Sequence, residues 1–158
     1  CMGGRSVTLR LANVYGPGPK SSSSDRGILN LMVRRALNGQ ELTVYGTGEY
    51  TRDYVYIDDV VSAFLAAAVS IDKTNGRHFV IGSGRGHTIR QMVELVAKVV
   101  KNKSVQIVSI PEPEGTSAIE HRNFVADSHA FRDATGWRPT IDLETGIQKT
   151  VTFYQQKL

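Results

Sequence analysis

Arg52 is the residue whose type and position best suit the binding of an anionic ligand. It follows a glycine-containing turn at residues 46–48 and precedes an apolar segment that favours a strand, so its side chain can reach into a cleft. The planar guanidinium group donates two hydrogen bonds at once to two oxygens of a phosphate group. In the alternative interpretation Arg52 forms an exposed ion pair with Glu49 or Asp53, which would contribute little to stability. We favour the phosphate-binding role.

Asn13 is a second candidate for ligand contact. It lies at the end of a predicted strand over residues 6–14, and the ends of strands are where α/β sheets present groups to a ligand. Its amide both donates and accepts hydrogen bonds, which suits a phosphate oxygen or a sugar hydroxyl. The alternative is that Asn13 stabilises the turn that follows the strand. The residue type leaves both roles open.

The sequence contains no arrangement typical of nucleophilic catalysis or of a metal site. The histidines at positions 78, 87, 121 and 129 include no pair at H-x-x-x-H spacing, which favours structural or surface roles. The glycine-rich segment at residues 82–86 follows an apolar segment, but its spacing differs from the G-x-G-x-x-G phosphate-binding turn. We interpret it as a tight turn. We therefore expect no catalytic residue, no cofactor-binding residue and no metal ligand in this chain.

Apolar periodicity predicts alternating strands and helices around these candidates. The predicted strands cover residues 6–14, 42–45, 54–57, 78–81 and 105–110, and the first of them is expected to be buried. The predicted helices cover residues 28–37, a segment after Asp58 and Asp59, a segment after the Thr88–Gln91 capping box, residues 128–135, and a last segment that Asp142 caps and that ends at about residue 155. The helix after Asp59 is expected to bury Val60, Val61, Phe64, Leu65 and Ala68. Strands that alternate with helices indicate the α/β class.

Length, composition and charge are those of one globular domain. The chain has 158 residues, 41% hydrophobic and 22% charged, and no apolar run reaches the roughly 20 residues that a membrane-spanning helix needs. The net charge is +4, but the 19 Lys and Arg residues are scattered and form no stripe for a nucleic-acid backbone. For these two reasons we expect neither a membrane nor a nucleic acid as partner. Because one cysteine cannot form an internal disulfide, we expect a cytoplasmic protein. The first residue is Cys1, and we expect the chain to be a piece of a longer protein.

Four segments of this sequence, taken together, are typical of one protein family. They are RLANVYGP at residues 10–17, VYGTG at 44–48 leading into RDYVYIDDV at 52–60, FVIGSG at 79–84, and GWRP at 136–139. In this order they resemble the extended short-chain dehydrogenase/reductase family, the NAD-dependent nucleotide-sugar epimerases and dehydratases. The resemblance covers nearly the whole chain. It implies the C-terminal part of a Rossmann-type α/β protein, in which residues 1–158 supply the last sheet strands and the small substrate-binding subdomain.

The resemblance implies that the catalytic residues lie outside this chain. In the family, an N-terminal half carries the turn that binds NAD or NADP and a catalytic tyrosine and lysine four residues apart, whereas no Tyr-x-x-x-Lys occurs here. The full-length protein would be an enzyme, similar to UDP-glucose 4-epimerase, that binds a nucleotide-diphosphate sugar and transiently removes a hydride from it. It would form a homodimer, and this chain alone would be inactive. The alternatives are a reductase of another substrate on the same fold, and a non-catalytic binding module.

The resemblance also implies a set of substrate-binding residues. Asn13, Asn30 and Leu31 match family positions that line the nucleotide, although Leu31 also belongs to the apolar stripe of its helix, which favours a core role. Thr43 and Tyr45 belong to the strand whose backbone pairs with the base.

The resemblance also implies residues that bind the diphosphate of the nucleotide sugar. Arg52 matches a diphosphate-binding arginine of the family. The family's second such arginine would fall near Ser117, where no arginine occurs, and Arg122 is the nearest replacement. This departure from the pattern leaves the preferred base and sugar open.

Overall fold

Strands and helices alternate along the chain, which confirms the α/β class. The computed structural model describes residues 4–18, 27–102 and 104–156. The strands are β1 (Thr8–Leu11), β2 (Asn13–Tyr15), β3 (Leu42–Tyr45), β4 (Thr51–Tyr56), β5 (His78–Ile81), β6 (Gly86–Thr88) and β7 (Ile107–Ile110). The helices are α1 (Ile28–Leu37), α2 (Ile57–Val69), α3 (Ile71–Thr74), α4 (Ile89–Val100), α5 (His129–Thr135) and α6 (Leu143–Gln155), with a 3-10 helix at Ala118–His121.

Helices α4 and α6 begin at the capping residues that the sequence indicates. At the start of α4, the Thr88 side chain accepts a hydrogen bond from the Gln91 backbone N–H at 3.1 Å, and the Gln91 side chain accepts one from the Thr88 N–H at 3.0 Å. Asp142 caps α6 by accepting from the Thr145 N–H at 2.8 Å. These contacts satisfy backbone donors that have no partner inside the helix. The capping box and the Asp142 cap predicted from the sequence are therefore confirmed.

The strands pair in three small sheets. β1 pairs with β5 and β3 with β7, both in parallel, while β4 lies between β2, in parallel, and β6, antiparallel. Asn13 of β2 is in register with Tyr54 of β4. Because side chains alternate across a strand, Arg52 and Tyr54 lie on one face of β4 and Asp53 on the other. The pairing thus brings Asn13 next to the strand that carries Arg52.

Two clusters of apolar side chains form the core. One joins α1, α4 and α6 to β2, β3 and β4, and it contains large buried residues such as Leu29, Leu42, Met92 and Ile147. The other lies between α2, α5 and β5, and it is built around Phe79, Phe131 and Trp137. The first cluster supports the strands of the candidate site, and the second fixes α2 and the loop after β5.

Two burial predictions were wrong. The segment at residues 6–14 is two strands rather than one, and Thr8, Arg10 and Leu11 are exposed, because β1 pairs with β5 alone among the described strands. Helix α2 buries Val60 as predicted, but it packs through the small side chains of Ala63 and Ala67 and leaves its larger apolar side chains exposed. Val61, Phe64 and Leu65 are exposed, and so is the small side chain of Ala68. Close packing against the aromatic cluster admits alanine and not leucine on that face.

Asp53 is a buried carboxylate with a full set of hydrogen-bond donors. Its Oδ1 accepts from the backbone N–H of Ser83 at 2.8 Å and from the Ser83 hydroxyl at 2.6 Å. Its Oδ2 accepts from the N–H of Gly84 at 2.9 Å and from the N–H of Ala126 at 3.0 Å. The side chain is 0% exposed. The contact joins β4 to two distant segments of the chain.

We predict that Asp53→Asn strongly destabilises the protein. The amide is the same size, but its NH2 group would face two backbone N–H donors and leave them without an acceptor. Unsatisfied buried donors cost about 1–3 kcal/mol each, so the free energy of unfolding should fall by at least about 2 kcal/mol in urea denaturation.

Asp58→Asn is the matched control for this substitution. Asp58 is exposed, and its carboxylate pairs with Lys149 at 3.7 Å. Exposed pairs contribute about 0–1 kcal/mol, so this variant should remain close to the unsubstituted protein. Equal effects of the two substitutions would contradict the structural role of Asp53.

Candidate functional site

A cavity of about 360 Å³ lies at the edges of β2, β3 and β4. Its walls include four of the residues predicted from the sequence: Asn13, Thr43, Tyr45 and Arg52. The segment after β7 also contributes to the walls, through Glu112, Glu120 and His121 among others. Strand pairing therefore brings together residues that are almost 40 positions apart in the sequence.

The Arg52 guanidinium is held by the wall of the cavity. Its Nη2 donates to the Glu120 backbone carbonyl at 2.7 Å, and its Nη1 donates to the carbonyls of Thr51 and Arg122. The Glu120 carboxylate lies 3.6 Å from Nη2, and the Arg52 side chain is only 12% exposed. The exposed ion pair with Glu49 or Asp53, left open by the sequence, does not form. Arg52 instead faces the cavity with a fixed orientation.

Tyr54 has a buried hydroxyl without a partner. The residue is 3% exposed and lines the cavity, and among the described residues no group forms a hydrogen bond with its hydroxyl. Burial raises the pKa of Tyr54 to about 12, and the nearby Arg52 opposes the rise. An unpaired buried hydroxyl costs about 1–3 kcal/mol, which a ligand group within reach would recover. Sequence reasoning missed Tyr54, although strand alternation places it on the same face as Arg52.

Three of the residues that line the cavity, Tyr50, His121 and Glu112, contact one another. The rings of Tyr50 and His121 stack with centroids 4.9 Å apart and planes inclined by 24°. The His121 Nε2 lies 2.7 Å from a carboxylate oxygen of Glu112. The Thr51 N–H donates to the Asn123 side chain at 2.8 Å, so this segment is fixed to the start of β4. Sequence reasoning missed His121, because no helical or strand periodicity marks its segment.

Three predicted residues lie outside the cavity walls. The Asn30 side chain, in the first turn of α1, accepts a hydrogen bond from the Gly16 N–H at 3.2 Å and so supports the turn after β2. Leu31 is half-buried in α1. Arg122 is exposed, and it meets the site only through its backbone carbonyl, which binds Arg52. The ligand roles of these three residues stay predictions.

The glycine-rich segment after β5 is a structural turn. The N–H groups of Ser83 and Gly84 donate to the Asp53 carboxylate, so they are not directed at a phosphate. Gly82 must be glycine, because an added Cβ would lie 2.4 Å from the Ala126 Cβ and 2.6 Å from Asp53 Oδ2. This agrees with the tight turn predicted from the sequence. The residues present therefore do not fit the pyrophosphate of NAD(P) at this turn.

Among residues 4–18, 27–102 and 104–156, no group of three or more His, Cys, Asp or Glu side chains is arranged to hold a metal ion. No helix there has both the length and the apolar character needed to cross a membrane.

The sequence profile of the NAD dependent epimerase/dehydratase family matches residues 2–82, just over half of this chain. The chain belongs to this family. It is 32% identical over 146 residues to a UDP-glucose 4-epimerase of Mycolicibacterium smegmatis, and 29% identical over 152 residues to a dTDP-4-dehydro-6-deoxyglucose reductase of Escherichia coli. These matches cover 92% and 95% of the chain but only 44% and 45% of the relatives. The chain thus spans less than half the length of these relatives.

A solved structure gives the same picture of the fold. The UDP-glucose 4-epimerase of Thermotoga maritima, crystallised with UDP-glucose, superposes with a TM-score of 0.83 and 35% sequence identity. The match covers 94% of this chain and 45% of that chain. The Rossmann-type epimerase fold and the family assignment inferred from the sequence are confirmed.

We predict that the Tyr54 hydroxyl makes stability depend on alkaline pH. Its pKa is about 12 in the folded protein against 10.0 for a free tyrosine, so above pH 10 the unfolded chain loses this proton first. The free energy of unfolding then falls as pH rises, by up to about 1.4 kcal/mol per pH unit from this group.

Urea denaturation of the unsubstituted protein and of Tyr54→Phe, at pH 7 and at pH 11, tests this prediction. Phenylalanine has no proton to lose, so the variant should lose less stability between the two pH values. At pH 7 it should be at least as stable, because the unpaired hydroxyl is gone. An identical loss in both proteins would contradict the buried, unpaired state of Tyr54.

Proposed function

We propose that this chain is the C-terminal, substrate-binding portion of an NAD(P)-dependent nucleotide-sugar epimerase or dehydratase. The observation that carries the proposal is the cavity in which Arg52 lies with Asn13, Thr43 and Tyr45. An arginine that is oriented by fixed carbonyl contacts suits the diphosphate, which is common to all nucleotide-diphosphate sugars. The amide of Asn13 and the backbone of β3 suit neutral hydroxyl and base groups.

We assign substrate binding to this chain and the redox chemistry to another part of the protein. The chain has no Tyr-x-x-x-Lys, and the amides of the turn at residues 82–84 are already bonded to Asp53. We therefore assign NAD or NADP, and the hydride abstraction at the sugar, to a part of the protein outside this chain. The described residues bind and orient the nucleotide sugar. We extend the proposal to a cytoplasmic homodimer when full length.

A reductase is the second candidate, because one of the relatives is a dTDP-4-dehydro-6-deoxyglucose reductase that is 29% identical over 95% of this chain. The cavity would bind the diphosphate in the same way in both cases. The products separate the two: an epimerase or dehydratase returns the cofactor to its starting oxidation state, whereas a reductase consumes one reduced cofactor per turnover.

We predict that Arg52→Ala, in the protein expressed from its complete gene, weakens binding of the nucleotide sugar. A charge-assisted hydrogen bond contributes about 1.5–3 kcal/mol, so the dissociation constant for UDP-glucose should rise roughly tenfold to a hundredfold. Arg52→Lys keeps the charge but loses the planar fork, so it should recover only part of the loss. Calorimetric titration with UDP-glucose measures the change.

The control for Arg52 is the affinity of the same variants for the cofactor. The lost contact is to the substrate alone, so the dissociation constants for NAD and NADP should barely change. If cofactor binding falls while nucleotide-sugar binding survives, Arg52 has been assigned to the wrong site.

We also predict that the 158-residue chain alone neither turns over a nucleotide sugar nor binds NAD or NADP tightly. Calorimetric titration of the chain with both dinucleotides tests this assignment of the cofactor. Micromolar affinity for either one would show that these residues hold a dinucleotide site of their own.

A further inference from the structure

The charges that line the cavity leave the binding of a diphosphate incomplete. Arg52 is one cation, whereas Glu112 and Glu120 add two carboxylates to the lining, one of them 3.6 Å from the Arg52 Nη2 atom. Arg52 also donates hydrogen bonds to the backbone carbonyls of Glu120 and Arg122, so these donors are not available to a ligand. A diphosphate brings at least two negative charges into this space. It needs a second donor that also offsets the carboxylates.

Arg122 does not supply that donor. It is exposed and absent from the walls of the cavity, and its contact with the site is the carbonyl that accepts from Arg52. The neighbouring His121 does line the cavity. The 3-10 helix at Ala118–His121 ends at this residue, so consecutive side chains at 121 and 122 are presented to different surroundings.

His121 is held in one orientation by two contacts. Its ring stacks on Tyr50, with centroids 4.9 Å apart, and its Nε2 lies 2.7 Å from Glu112. Because an ionised carboxylate only accepts hydrogen bonds, Nε2 carries the hydrogen in this pair. The Nδ1 atom has no hydrogen-bond partner among residues 104–156 or in the other described ranges. It is the ring atom left for a ligand.

We propose that His121 is the second diphosphate-binding residue of this cavity and that it distinguishes a nucleotide diphosphate from a monophosphate. The inference rests on the proposed function of the site. When both ring nitrogens carry a proton, the imidazolium donates from Nδ1 to a phosphate oxygen. The charged groups that face it are Glu112, Glu120 and Arg52, so protonation brings the lining side chains to neutrality. The stacked Tyr50 fixes the plane in which Nδ1 donates.

The test compares the affinities for UDP-glucose and for UMP in the protein expressed from its complete gene. His121→Gln keeps a hydrogen-bonding side chain but cannot become a cation. It should weaken UDP-glucose binding by tenfold or more, and UMP binding by much less. His121→Arg carries a permanent charge and should restore most of the UDP-glucose affinity. A purely structural role of the ring would not produce this selective loss and rescue.

His129→Gln is the matched control, because it makes the same substitution at an exposed histidine of α5 that pairs with Asp133 and does not line the cavity. It should leave both dissociation constants unchanged. Arg122→Gln, one position along the segment from His121, tests the arginine that the resemblance offers as the second donor. These variants should keep the unfolding midpoint of the unsubstituted protein, since all three side chains are at the surface.

Four outcomes would overturn the inference. If Arg122→Gln weakens UDP-glucose binding and His121→Gln does not, the second donor is Arg122. If His121→Gln weakens both ligands equally, the ring has no selective contact with the diphosphate. If Arg52→Ala weakens UDP-glucose binding and neither neighbouring variant does, the proposed function stands without His121. If the unsubstituted protein binds none of UDP-glucose, dTDP-glucose and GDP-mannose, the proposed function fails together with this inference.

Discussion

The carboxylate of Asp53 is the contact on which the geometry of this chain depends. It is fully buried in the middle of the molecule, and it accepts hydrogen bonds from Ser83, Gly84 and Ala126. These residues belong to the turn after β5 and to the segment before α5, so one side chain joins three distant parts of the chain. A buried charge is tolerated only when donors surround it. The need to satisfy Asp53 therefore fixes how β4 lies against both segments.

The candidate site is the opposite face of the same strand. Because Asp53 is held on one side of β4, alternation directs Arg52 and Tyr54 to the other. Arg52 then binds the carbonyls of Glu120 and Arg122 and so places the 3-10 helix across the cavity. Asp59 has a similar role in α2. It accepts hydrogen bonds from the backbone N–H groups of Thr140 and Ile141, and so it fixes the segment between α5 and α6 to α2. Two adjacent residues, Arg52 and Asp53, thus connect the core to the wall of the cavity.

Regular elements could be predicted from the sequence because their patterns are local. Apolar periodicity and the capping residues placed α1, α4 and α6 correctly, and the motif around Arg52 indicated the site. Burial was harder to predict. The exposed Phe64 and Leu65 of α2 follow from packing against an aromatic cluster that only the fold assembles. His121 and Glu112 lie in a segment without periodicity, and their positions are set by contacts with β4 and Tyr50. The unpaired hydroxyl of Tyr54 is likewise a property of its surroundings.

The central claim is that the cavity beside Arg52 holds the diphosphate of a nucleotide sugar. A crystal structure of the protein expressed from its complete gene, with UDP-glucose bound, tests it most directly. The account predicts diphosphate oxygens within hydrogen-bonding distance of the Arg52 guanidinium, with the nucleotide between β3 and Asn13. A diphosphate bound elsewhere, with Arg52 still bonded only to the carbonyls of Thr51, Glu120 and Arg122, would contradict it.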